Sequence, residues 1–538
     1  MFSAGPLSLF LLLLLTNALF SHAQNQGNAG TIESQSDRNL EADESDESPS
    51  DIFATFMAQG SGERVEPEYV DMPLDHFSNR SNATFRNRVW VHESSYIGQG
   101  HPVFIYDVGE TGASGSAYMK LKFKDDFFRR LVDGFGGIGV VWEHRYYGSS
   151  NPSEKFSSNP LEGYKYLTIE QALKDVEYFA THFSRRKFPN SDLTPASTPW
   201  VFVGGSYPGM RAAWMRQFFP HIIFASYASS APVQINLNSS AYADQIYDGM
   251  NAYGFGNCSR DLHSAVVEID KLLEKEPSSS KLKRQFLGRN GEKFSDWDFV
   301  DAVNNVTNKF KNYGMEGGLR EFCDWIETDH KKGTLAGAEG WAPTRGPEFV
   351  IKQWATWAKR TGIQARVQLS SAESSSEWMD AYTWQVCTQV TGFMTVEIGP
   401  KQLYSSHLPE RYRRQCAEVA SANVSPDEMN RRLGGWNIRP SNTFWTAGQF
   451  DPWTPWTPFS KDPSAPHPNV TQKIPACNVP TQQGEIFGRL LQNAQHGDDL
   501  GSEHPQAVAT QQLFMDALRQ WLKCFRPKRH SSPMPFGD

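Results

Sequence analysis

One short run constrains this chain more than any other: Pro199-Trp200-Val201-Phe202-Val203-Gly204-Gly205-Ser206-Tyr207-Pro208-Gly209. An apolar strand meets two glycines and a serine, and the residues from Met210 to Phe219 that follow have helical character. That is the layout of a nucleophile elbow, in which a tight strand-to-helix turn lifts one hydroxyl clear of a sheet. Glycines permit the close backbone approach and the dihedrals such a turn requires. The strict pattern has glycine two residues after the serine; here Pro208 stands there and Gly209 follows. Gly-Gly-Ser also occurs in loops with no chemistry, so the rest of the chain must supply a base and an acid.

The flanking sequence alternates strands with amphipathic helices. Val103 to Tyr106, Ile138 to Trp142, Val201 to Val203 and Ile222 to Tyr227 read as buried strands. Between them Thr168 and Gln171 fit a capping box, with Ile169, Ala172, Leu173, Val176 and Phe179 on one helical face. This order predicts an α/β fold with a mainly parallel sheet covered on both faces. Residues from about 240 to 430 are instead helical and rich in tryptophan, and strand character returns at Asn442 to Ala447. A terminal helix follows, with Phe514, Ala517, Leu518 and Trp521 at helical spacing. The predicted organisation is an α/β-hydrolase core in residues 61–238 and 431–525, interrupted by a helical cap insertion at 239–430. The Pro-rich stretch from Asp451 to Pro480 is expected to be a long surface loop.

The N-terminus and the cysteines place the chain in an oxidising compartment. Residues 1–23 have the form of a secretory signal, with an apolar run from Leu7 to Leu15 too short to span a bilayer. Residues 24–60 are acidic and polar and read as a disordered linker; 526–538 read as a solvated tail. Sequons at Asn79, Asn82, Asn238, Asn257, Asn305, Asn423 and Asn469 are candidate glycan sites, each expected on the surface. The six cysteines, Cys258, Cys323, Cys387, Cys416, Cys477 and Cys524, form no Cys-x-x-Cys pair, so disulfides are expected and a metal site is not. Spacing alone does not choose among their pairings. A net charge of −8 argues against nucleic acid as a partner, and no later run is suited to a membrane span. A homodimer is compatible with these features.

The remaining chemistry lies late in the chain. A serine hydroxyl needs a base to take its proton and a third group to orient that base. In an α/β-hydrolase the acid follows a late strand and the base comes last. Asp451 lies just after the returning strand, and His496 precedes the terminal helix. The candidate catalytic set is therefore Ser206, Asp451 and His496, with no cofactor implied.

Several motifs in order resemble the serine peptidases of family S28. They are Leu74-Asp75-His76-Phe77, Glu143-His144-Arg145-Tyr146-Tyr147-Gly148, the run from Tyr166 to Asp175, Gly204-Gly205-Ser206-Tyr207, Trp384-Gln385-Val386-Cys387 and Asp451-Pro452-Trp453. The resemblance runs from about Leu74 to Leu522 and implies the same triad, a helical insertion and a preference for proline before the scissile bond. It also implies pairing of Cys387 with Cys416 and of Cys258 with Cys323, leaving Cys477 with Cys524. The Tyr207 amide is the expected oxyanion donor, with a second from the loop at Gly109 and Glu110. Trp453 is a candidate wall for a proline ring, and Glu110 a candidate carboxylate for a free amine. The expected substrates are peptides, cleaved as a dipeptidyl peptidase or a Pro-Xaa carboxypeptidase. A prolyl endopeptidase, an esterase on the same fold and a secreted binding glycoprotein are the competing readings.

Overall fold

In the computed structural model the described residues are 65–78, 82–152, 160–238, 240–362, 380–390, 399–417, 419, 425–482 and 484–527. The signal, the linker and the sequons at Asn79 and Asn423 lie outside them, as does most of the tail.

Nine strands form one sheet. They are β1 (Glu68–Pro73), β2 (Thr84–His92), β3 (Val103–Asp107), β4 (Ile138–Trp142), β5 (Trp200–Gly205), β6 (Ala225–Ser229), β7 (Thr443–Gly448), β8 (Asn469–Thr471) and β9 (Glu485–Leu491). Their spatial order is β1-β2-β4-β3-β5-β6-β7-β9-β8. The first two strands pair antiparallel and the rest run parallel from β4 to β8. This is the sheet of an α/β-hydrolase.

Strand alternation builds two apolar layers. Val103 and Ile105, Trp200 and Phe202, and Trp445 and Ala447 point to one face. There they meet α3 (Ile169–His182) and α4 (Tyr207–Phe218). Phe104, Val201, Val203, Phe444 and Phe487 point to the other, against α1 (Ser114–Lys122), α2 (Phe127–Gly134) and the C-terminal helix Ala507–Leu522. A parallel sheet buried on both faces explains why these strands read as unbroken apolar runs.

Local details adjust the expected boundaries. Thr168 caps α3, its hydroxyl accepting from the Gln171 N–H at 3.2 Å. The reciprocal half of the capping box is absent: the Gln171 side chain donates to Asp75 at 2.6 Å and accepts from the His76 N–H at 2.9 Å. It ties the helix to the loop after β1. Ile222 and Ile223 turn back onto the Phe219 carbonyl, so β6 begins only at Ala225. The stretch expected as one surface loop after Asp451 contains β8, which pairs in parallel with β9.

The inserted helices gather around a separate apolar cluster, including Ile246, Leu262, Phe286, Phe299, Phe322 and Trp354. Phe450 and Trp456, from the segment after β7, are buried in the same cluster and stitch the core to the cap. The helix Pro426–Leu433 packs Met429 and Leu433 into the core layer instead. Three disulfides join Cys258 with Cys323, Cys387 with Cys416, and Cys477 with Cys524, in agreement with the implied pairing.

Among the described sequons, Asn82 and Asn469 are exposed, and Asn238 and Asn305 are half-buried. Asn257 is half-buried as well. Its amide donates to the buried Glu327 carboxyl at 3.1 Å, and the Ser259 of its sequon is wholly buried. Among the described residues no helix is long and apolar enough to cross a membrane.

Candidate active site

Ser206 alone connects the end of β5 to the start of α4, with φ 65° and ψ −131°. A positive φ at a non-glycine residue is uncommon and gathers at functional turns. The surroundings hold it: the Ser206 N–H donates to the Ser229 carbonyl at 2.9 Å, and its carbonyl accepts from Met210 at 3.0 Å. The glycines are steric necessities. A Cβ at Gly204 would stand 2.2 Å from the Pro208 carbonyl oxygen, and one at Gly209 would stand 2.5 Å from that of Ser229. The glycine displaced by one residue thus still lets the helix lie against β6. Pro208 occupies the first helical turn, where its missing N–H costs nothing. Its ring fills the space in front of Gly109, where a Cβ would come within 2.4 Å of Pro208 Cγ.

Asp451 and His496 meet at the ends of β7 and β9. The His496 Nδ1–H donates to both Asp451 oxygens at 2.9 Å, and Asp451 is fully buried. A carboxylate only accepts, so this contact places the ring proton on Nδ1 and leaves Nε2 a lone pair. The two loops lie flush because Gly448 has no side chain: a Cβ there would be 2.3 Å from the Gln495 carbonyl oxygen. Three further bonds fix the pair. The Trp453 N–H donates to Asp451 at 2.9 Å, the His496 N–H to the Lys311 carbonyl at 2.9 Å, and the Gly497 N–H to Ser230 Oγ at 3.1 Å.

A cavity of about 440 Å³ opens over these residues and is lined by both Ser206 and His496. Trp453, Trp456, Tyr382, Val386, Val390 and Met210 form its apolar wall, and Glu110 and Lys311 contribute charge. Trp453 lines this cavity with its ring edge-on to Tyr242 at 5.3 Å and tilted against Trp456 at 5.4 Å. Burial pushes the Glu110 carboxyl upward; its own backbone N–H and the Lys311 charge pull the other way.

Gly109 takes a different part from the one expected. Its N–H donates to Asp107 Oδ1 at 3.0 Å, so that amide is committed to a carboxylate rather than to the cavity. Asp107 is in turn paired with Arg211 of α4, and Arg211 also donates to the Ala172 carbonyl at 2.9 Å. Burial drives Asp107 upward and Arg211 opposes it. This buried pair clamps the loop after β3 to α4. The amide of Tyr207 is among the first helical N–H groups, which have no acceptor within the helix.

The Glu-His-Arg-Tyr-Tyr-Gly motif is scaffolding for the same corner. Glu143 accepts from Arg88 at 2.6 Å, from the Ala113 N–H at 2.9 Å and from the Ser150 hydroxyl at 2.7 Å. His144 Nε2 meets the Tyr207 hydroxyl at 3.2 Å while Nδ1 donates to the Arg145 carbonyl at 2.7 Å. Burial, followed by the Arg211 charge, holds His144 well below the usual imidazole range, so its ring is neutral. Arg145 forks onto Asp175 at 2.6 and 2.7 Å, and His76 reaches Asp175 at 2.7 Å. Burial opposes ionisation of Asp175, yet Arg145 and His76 hold it below the ordinary carboxylate range. Beneath the elbow, Asp499 accepts from Ser229, Tyr227 and Thr446 at 2.6–2.7 Å, joining β6 and β7 to the loop that carries His496.

Among the described residues no cluster of three or more His, Cys, Asp or Glu side chains is arranged to hold a metal ion. A strained serine on an elbow, sharing a cavity with a histidine oriented by a carboxylate, belongs to the α/β-hydrolases. The chain is a member of the family Serine carboxypeptidase S28, whose sequence model matches residues 72–470, and so of a serine peptidase family of hydrolases. It is similar to the thymus-specific serine protease of Mus musculus, at 25% identity over 87% of this chain and 89% of that protein. It is also similar to the probable serine protease EDA2 of Arabidopsis thaliana, at 27% identity over 72% and 74%. The lysosomal Pro-X carboxypeptidase of Mus musculus is 24% identical over 72% of this chain and 78% of that protein.

Proposed function

We propose that the protein is a serine exopeptidase that cleaves peptides after proline, with Ser206 as nucleophile, His496 as general base and acid, and Asp451 as its orienting partner. One observation carries the reading: the Asp451–His496 pair and the strained Ser206 share a cavity with an aromatic wall. Ser206 Oγ attacks the scissile carbonyl as His496 Nε2 takes its proton. The C–N bond then breaks, His496 gives that proton to the leaving amine, and the acyl group stays on Ser206. Water, activated by the same imidazole, releases the acid and restores the serine. The Tyr207 N–H is the donor to the oxyanion.

The proline preference rests on the wall formed by Trp453, Trp456 and Tyr382. A compact ring with no amide proton suits such a surface, and the name of the Pro-X carboxypeptidase relative points the same way. Disulfides and the N-terminal signal support a secretory or lysosomal-type lumen as the site of action.

A matched panel tests this reading: N-blocked Pro-Phe against N-blocked Ala-Phe, and Ala-Pro anilide against Ala-Ala anilide. Cleavage confined to the proline members and abolished by Ser206→Ala is the expected result. Equal cleavage of the alanine members removes the proline preference, and hydrolysis of simple esters alone makes the protein an esterase.

A further inference from the structure

Among the described residues two charged side chains, Glu110 and Lys311, line the cavity, and they sit on different elements. Glu110 belongs to the loop after β3, on the side of Tyr207 and Gly109. Lys311 belongs to the cap, in the short helical turn Phe310–Tyr313, and its carbonyl accepts the His496 N–H at 2.9 Å. The cap thus delivers a cation to the histidine side of the cavity. Among the described residues the Lys311 ammonium closes no salt bridge, and its charge acts on the Glu110 carboxyl.

The reaction itself says what lies on that side. His496 must hand its proton to the leaving nitrogen, so the residue beyond the scissile bond sits against the imidazole. If that residue is the last of the peptide, its carboxylate hangs from the same α-carbon as the leaving nitrogen. The carboxylate carbon is then about 2.5 Å from that nitrogen. An ammonium that lines the cavity and whose own backbone is bonded to the histidine is suitably placed for this anion. A half-buried site strengthens such a charge-assisted contact.

We propose that Lys311 recognises the free α-carboxylate of the departing residue and thereby makes this site a carboxypeptidase that removes one residue after proline. The inference rests on the post-proline serine-peptidase reading and adds to it the terminus that is held and the residue that holds it. An endopeptidase substrate, or a peptide amide, offers nothing at that position to satisfy the cation. Neutralising Glu110 across the cavity is the competing role for Lys311, and it predicts no dependence on the substrate's terminus.

The test compares wild type, Lys311→Met, Lys311→Gln and Lys311→Arg on N-blocked Pro-Phe as the free acid and as the amide. Ala-Pro anilide serves as a third substrate, and active sites are counted by fluorophosphonate labelling of Ser206. Wild type is expected to prefer the acid. The acid-to-amide ratio of kcat/KM should fall on the order of 10- to 100-fold in Lys311→Met and Lys311→Gln, mainly through KM for the acid, and persist in Lys311→Arg. An unchanged ratio in the neutral variants, or no acid preference in wild type, overturns the assignment. Cleavage of Ala-Pro anilide in place of N-blocked Pro-Phe overturns it too, while leaving the post-proline reading intact. If labelled enzyme cuts none of the three, both readings fall together.

Discussion

The core and cap sides of the cavity are built from different interactions. On the core side, side chains are locked by buried charge: Asp107 with Arg211, Glu143 with Arg88, Asp175 with Arg145 and His76. On the cap side the lining is mainly aromatic and aliphatic, from Tyr382, Val386 and Val390, with Lys311 the cation. Trp453 and Trp456 lie at the junction, on the segment that packs core against cap. A buried ion pair loses heavily if one partner is removed, because the other charge is stranded. An apolar wall loses in proportion to the area removed. The core side is therefore suited to holding the reacting groups in one geometry, and the cap side to choosing which peptide is held.

The comparison is broken most severely at its centre. Ser206→Ala should lower kcat on N-blocked Pro-Phe by at least about 10³-fold and abolish fluorophosphonate labelling, with little change in melting temperature. Activity surviving that change would remove the elbow from the mechanism. Next in size is Arg211→Met, which leaves Asp107 buried without its cation and frees the loop that Gly109 begins. A stability loss of about 3–5 kcal/mol is expected, read from denaturant unfolding. Full stability in this variant would mean that the clamp is dispensable and that the two sides are less different than the structure implies.

How much of this could be read from the chain depends on how local each signal is. Ser206, Asp451 and His496 can be named as a candidate set from the chain because chain order and strand-end placement are sequential properties. The strands β3 to β5 were legible because burial on both faces leaves uninterrupted apolar runs. β9 was not, since Gly488 and Arg489 interrupt its pattern. Gly488 is there for contact: a Cβ would stand 2.0 Å from the Trp445 carbonyl oxygen of the neighbouring strand. The Asp107–Arg211 clamp joins residues 104 positions apart, and neither carries a local mark of burial. Lys311 sits among polar residues of the cap and gains its place only when that turn meets His496. The expectation for Gly109 fails for a similar reason, because the glycine pattern of the loop does not reveal that Asp107 captures the Gly109 N–H. Glu143 to Gly148 could be quoted as a motif, yet its scaffolding role emerges only from partners as distant as Arg88, Tyr207 and Asp175.

On the cap side the wall should give a smaller and more selective effect. Trp453→Ala removes an aromatic surface from the cavity but leaves the Trp453 N–H bond to Asp451, which is backbone. A fall of about 10- to 100-fold in kcat/KM for proline substrates is expected, corresponding to losing about 1.5–3 kcal/mol of apolar contact. The alanine-containing members of the panel should fall less. An equal fall on both would show that Trp453 acts through the acid loop and belongs with the core side.

The smallest expected effect separates the two regions by pH. Deep in the cap, Glu327 lies beside Asp261, with Asn257 donating to it and Arg260 nearby. Burial first, and then the Asp261 charge, push Glu327 up to about 9 from its ordinary 4.5. Between those values the folded cap holds a proton that the unfolded chain gives up. The stabilisation is whole below about pH 4.5 and is lost as pH rises through about 9. Glu327→Gln keeps a neutral hydrogen-bonding group in place at every pH, so its melting temperature should decline less between pH 5 and pH 8 than that of wild type. The difference should be on the order of 1–3 °C in a chain of this size. Core pairs such as Asp175 with Arg145 have the opposite sign, since a carboxyl held low in the folded state adds stability only above its unfolded value. A variant that tracks wild type across this range would place the pH sensitivity outside the Glu327–Asp261 pair and remove that contrast between core and cap.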